Sequence, residues 1–181
     1  MKTVAALAFA LMAPLAQREP VPLERLTVPP GRLPAECQLA QPSQPARLPN
    51  GNVAFPSAAL SGLRDSQNPW IGTDAPSLAA IWELMEGHPG VPDAAPLDRR
   101  GAAQYQLRRA EGVERGYRAT YTQPSGSILV LALQMNESAR AHASSLTKGR
   151  RVDLGTVVAT VLGQPGACVN AIEAYLSSLK P

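Results

Sequence analysis

Residues 116–135 read GYRATYTQPSGSILVLALQM, and the parsing of this stretch decides the fold. Tyr117, Ala119 and Tyr121 alternate with Arg118, Thr120 and Thr122, the period-2 signature of a half-exposed strand. Pro124-Ser125-Gly126 follows as a turn, with proline fixing one φ and glycine open to positive φ. Ile128 to Leu133 is apolar at every position, so it has no side to turn to water. The stretch is therefore a hairpin whose second strand is central and covered on both faces.

Downstream the pattern changes to a helical period. Asn136 is placed to cap a helix with Ala139, Ala143 and Leu146 on its inner face, ending at Gly149. Arg151 to Leu154 and Thr156 to Leu162 read as strand, broken or bulged at Gly155. Gln164-Pro165-Gly166 turns the chain into a last helix carrying Cys168, Ile172, Tyr175, Leu176 and Leu179 as one apolar stripe. The unit from Gly116 to Pro181 is thus the most clearly folded part of the chain.

Upstream, two more helices are expected. Thr73 or Asp74 caps the first, which has Pro76 in its first turn and Leu78, Ile81, Trp82 and Met85 at i, i+3, i+4 and i+7. Gly87-His88-Pro89-Gly90 stops it, and Trp70 and Trp82 read as core anchors. Leu97 to Arg115 reads as the second, with Asp98 near its start and Glu111 and Arg115 spaced as a favourable i, i+4 pair. Together these elements predict an α+β domain over residues 68–181. Its sheet has three or four mostly antiparallel strands, with a ferredoxin-like arrangement among the candidates.

Residues 17–67 form a proline-rich arm. Pro20, Pro22, Pro29, Pro30, Pro34, Pro42, Pro45, Pro49 and Pro56 leave no room for a long helix. Leu23 to Val28 reads as at best a short edge strand, and the arm supplies the missing strand of a ferredoxin-like sheet. Leu33, Cys37 and Leu39 should tie residues 33–39 to the body, leaving 41–51 loose.

Residues 1–16 have the layout of a secretory signal peptide: Lys2, then the ten-residue apolar run Val4 to Ala13, then Pro14-Leu15-Ala16. The run falls well short of the roughly 20 residues that span a bilayer. The expected product is exported, periplasmic or extracellular, and soluble after cleavage near Gln17. The abundance of Ala, Arg and Pro points to a bacterial source with GC-rich coding.

Export sets the reading of the two cysteines. Cys37 and Cys168, separated by 131 residues, would form one disulfide in an oxidising compartment. Closing a loop of that length stabilises by about 5 kcal/mol in the chain-entropy model. A buried free thiol, or a thiolate acidified in the first turn of the last helix, are the alternatives for Cys168.

No catalytic grouping, cofactor fingerprint or metal spacing emerges. His88 and His142 are the only histidines, and neither has a second ligand at metal spacing. No P-loop, dinucleotide fingerprint or Gly-x-Ser-x-Gly occurs. Glu83 and Glu86, like Glu111 and Glu114, read as decoration of a solvated face. The net charge of +3 is too small and dispersed for nucleic-acid binding. Arg99, Arg100, Arg108, Arg109 and Arg115, with Arg118, Lys148, Arg150 and Arg151, are the one concentration of positive charge. They read as a solvated face, or as a patch for an acidic protein or anionic surface. The expectation is a non-enzymatic binding or structural module, with an exported hydrolase assembled only in three dimensions as the alternative.

Overall fold

The structure is a computed structural model that describes residues 20–41, 46–47, 53–54, 67–87 and 112–181. Its strands are β1 (Gln38–Leu39), β2 (Ala46–Arg47), β3 (Val53–Ala54), β4 (Trp70–Gly72), β5 (Val113–Gln123), β6 (Gly126–Met135), β7 (Arg150–Leu154) and β8 (Val157–Leu162). Its α-helices are α1 (Ala75–Glu86), α2 (Glu137–His142) and α3 (Ala167–Ser178). The main sheet is antiparallel and six-stranded, in the order β1-β5-β6-β8-β7, with β4 also paired to β5. The class is α+β, and the sheet is larger than the three or four strands expected. The extra strands come from β1 and β4, too short to show any periodicity, and from the break at Gly155, which is a complete reversal between β7 and β8. Gly155 lies at φ 77°, where a residue with a Cβ would be strained.

β5 and β6 form the expected hairpin, running in register from Gln123↔Gly126 back to Arg115↔Gln134. β6 pairs with β5 on one side and β8 on the other, and Ile128 to Leu133 is buried throughout. Each of its larger side chains contributes about 1.5–3 kcal/mol of burial.

The two sheet faces carry separate cores. Tyr117, Tyr121, Ile128 and Val130 face one of them, which is covered by α3 and by Leu23, Leu26 and Val28 of the arm. Leu129, Leu131 and Leu133 face the other, under α1 and α2. Gly116 permits the close seating of α1: a Cβ there would lie 2.5 Å from Leu78 Cδ2 and 3.0 Å from Ile81 Cδ1.

Several expectations are corrected. Leu23–Leu26 is a 3₁₀ turn, and no edge strand forms there. The reason is spacing: Leu23 and Leu26, three apart, fall on the same side of a 3₁₀ turn and are both fully buried, whereas a strand would point them apart. β5 begins at Val113, so residues 113–115 are strand where the helix ending at Arg115 was expected; a bulge between Val113 and Arg115 accommodates the shift. β5 is half-exposed only toward its turn, where Thr122 is exposed and Thr120 partly so; at its other end α1 seats on Gly116, and Arg118 is only 5% exposed. Glu83 lies on no solvated face: α1 is buried around its whole circumference from Ser77 to Met85, and Glu83 is 8% exposed.

The helix expected to run from Asn136 to Gly149 ends at His142 and is followed by a 3₁₀ turn over Ala143–Ser145, while the caps and tryptophan anchors hold. Asp74 caps α1 by accepting from Ser77 N–H at 3.0 Å, and Gly87 ends it in the left-handed conformation. Asn136 caps α2 by accepting from Ala139 N–H at 3.0 Å. Trp82 is fully enclosed, and Trp70 packs half-buried against the same core. Gly112 is a turn residue at φ 93°, and residues 97–111 of the expected helix, with all of residues 1–16, lie outside the described residues.

Candidate functional site

The arm is fastened by three tyrosines. Tyr117 OH lies 3.1 Å from Thr27 Oγ1, Val28 N–H donates to Tyr121 OH at 3.0 Å, and Tyr175 OH donates to Arg25 O at 2.8 Å. Burial raises the Tyr117 phenol far above its ordinary range, and raises that of Tyr121 against the opposing Val28 N–H. Cys37 and Cys168, both buried, complete the fastening as a disulfide with Cα atoms 5.6 Å apart. These groups are structural: Tyr117, Tyr121 and the disulfide are buried beneath the arm, and the half-buried Tyr175 ties the arm to α3.

Among the described residues no group of three His, Cys, Asp or Glu could hold a metal ion. His142 is exposed at the end of α2, and His88 lies outside the described residues. Ser125 sits in the β5–β6 turn, remote from any acid or base of that hairpin. Of the arginine patch, Arg99, Arg100, Arg108 and Arg109 also lie outside the described residues. Arg115 is on β5 and its guanidinium meets Glu24 at 2.9 Å. Glu24's own backbone N–H, and then Arg115, hold that carboxyl below the usual carboxylate range.

The described charges gather instead around β7, the strand that ends the sheet. Arg150 reaches Glu173 at 2.7 Å and Asn170 Oδ1 at 2.7 Å, tying β7 to α3. Arg151 pairs with Asp153 at 3.0 Å and donates to the Ala143 carbonyl. Arg140 donates to the Gly155 carbonyl and approaches Asp153 at 4.0 Å. Arg151 and Asp153 are two apart on a strand, so both lie on the α2 side while Val152 turns into the opposite core.

Beside this cluster is a cavity of about 270 Å³, lined by Pro20, Glu137, Arg140, Leu154, Gly155, Thr156 and Pro181. It brings a carboxylate, a guanidinium and the Thr156 hydroxyl together, and Thr156 Oγ1 is buried without a hydrogen-bond partner. No sequence spacing links Glu137 to Thr156; only the reversal at Gly155 returns the chain to α2. Among the described residues no helix is long and apolar enough to cross a membrane. No family model, curated protein or solved structure matches this chain.

Proposed function

We propose that this protein is exported and works as a non-enzymatic interaction module, held in shape by the Cys37–Cys168 bond. The observation that carries the reading is the edge of β7, a strand that among the described residues is paired on one side only and is ringed by Arg140, Arg150, Arg151 and Asp153. An edge of this kind recognises extended backbone, with its charges selecting the partner. The long covalent loop supports export, because disulfides of this type persist in oxidising compartments.

Two measurements test the reading. Mass spectrometry of the exported fraction should find an N-terminus near Gln17 and no free thiol; an intact Met1 there would refute cleavage, two titratable thiols would refute the disulfide, and absence of the chain from that fraction would refute export. A panel of chromogenic esters, glycosides, peptides and phosphates should show no turnover.

The cavity favours a second reading, an exported hydrolase using Glu137 as acid or base beside Arg140 and Thr156. Turnover of any panel substrate that disappears in Glu137→Gln would establish the hydrolase and overturn the module.

A further inference from the structure

We infer that the β7 edge pairs with the β7 edge of a second copy of this chain, antiparallel and centred on Val152, so that two sheets become one. This self-pairing deepens the interaction-module reading, and rests on it, by naming the partner.

The parity of the backbone comes first. Met135 N–H donates to Thr156 O at 2.9 Å, extending the β6–β8 ladder. Backbone groups alternate sides along a strand, so Val158 and Thr160 also bond toward β6, and Val157, Ala159 and Val161 bond toward β7. Their partners on β7 are Leu154, Val152 and Arg150. Arg151 and Asp153 therefore turn their N–H and C=O groups away from the sheet. Among the described residues no hydrogen bond reaches these outward backbone groups.

Parity then restricts how two such edges can meet. Hydrogen bonds are exchanged only when outward-facing residues stand opposite one another. Within β7 this leaves three antiparallel registers about a two-fold axis. Arg151 opposite Arg151, or Asp153 opposite Asp153, places like charges in a direct cross-strand pair, which is destabilising. The third sets Arg151 of each copy opposite Asp153 of the other, exchanging hydrogen bonds on both sides of the axis. Its contact is isologous and closes at two copies.

Side-chain placement agrees with this register. Arg151 and Asp153 already form an ion pair on one strand, and a second copy rotated about the sheet normal adds the same pair with its order reversed. The four groups then alternate in sign around the axis. A single sign of charge along β7 would guard the edge against self-association. Opposite signs at the two outward-facing positions admit one register and exclude the others.

The test uses two complementary charge reversals on the oxidised protein. Sedimentation velocity over a concentration series should show the wild-type chain in a monomer–dimer equilibrium that weakens as salt is raised. Arg151→Asp alone and Asp153→Arg alone should each associate about tenfold more weakly, since both cross-strand pairs become repulsive. An equimolar mixture of the two variants should recover dimer, because every pair across the new interface is again of opposite sign. Unchanged thermal unfolding of each variant separates a lost interface from a lost fold.

A wild-type chain that stays monomeric throughout would overturn self-pairing. So would dimers indifferent to salt and to both variants, or a mixture no better than its components. A monomeric chain without turnover on the substrate panel would remove only this partner, whereas turnover would remove the interaction-module reading itself.

Discussion

The two edges of the sheet are finished in opposite ways. Beyond β5, the edge is closed by three separate pieces of chain: β1, β4 and, between them, the side chain of Asn68. Its carboxamide donates to Ala40 O at 2.7 Å and Thr120 O at 2.8 Å and accepts from Thr120 N–H at 2.9 Å. Asn68 thus supplies the acceptor that a strand would have offered to the Thr120 N–H, and shares the Thr120 carbonyl with the Ala40 N–H, which donates to it at 2.9 Å. Beyond β8, the edge is the single five-residue strand β7, continuous and charged. An edge assembled from fragments offers no continuous ladder to a partner, whereas a continuous one does. Exposure of backbone, more than exposure of apolar surface, distinguishes the two ends of this sheet.

The largest effect is expected midway between the edges. Val130 lies on β6 with no exposed face, so Val130→Asp should cost about 4 kcal/mol or more and abolish cooperative unfolding. A variant with a normal melting transition would show that β6 is not central. Next is the disulfide: Cys37→Ala, or reduction, should lower stability by about 2–5 kcal/mol in chemical denaturation. The arm should loosen first, visible as faster amide exchange at Val28.

Asn68→Ala attacks the fragmented edge directly. Leaving the Thr120 N–H without its acceptor should cost about 1–3 kcal/mol and accelerate exchange of the Thr120 amide. Unchanged exchange there would mean that β1 and β4 close the edge without Asn68.

The smallest effect is a pH dependence beneath the arm. Burial raises the Tyr117 and Tyr121 phenols, so their contribution is fully present below the unfolded phenol pKa of about 10. Stability should fall as pH rises above that value, with the tyrosinate absorbance of these two residues appearing only on unfolding. Phenylalanine at both positions should flatten the alkaline slope; a slope unchanged in the double variant would place its origin elsewhere.

The same contrast explains what was legible in the sequence. The β5–β6 hairpin, the caps at Asp74 and Asn136, and the stripe of α3 follow from local periodicity and turn chemistry, which act over a few residues. Asn68 carries no such pattern, and its three hydrogen bonds reach 28 and 52 residues along the chain. Glu83 and Arg118 differ from expectation for a related reason: charge alone suggests exposure, but both sit on segments covered from a second side. The cavity was hidden because its polar groups come from α2 and the β7–β8 reversal. β7 itself carried the relevant charges in plain view. Which of them face outward depends on the register with β8, which no periodicity encodes.

The bond between Cys37 and Cys168 also determines how the molecule carries load. Every strand of the main sheet, from Gln38 to Leu162, lies inside the covalent loop it closes. A pull applied to the two ends of the chain is transmitted through that bond and bypasses the ladders. Only the segments before Cys37 and after Cys168 can be drawn out; the strands between them stay slack.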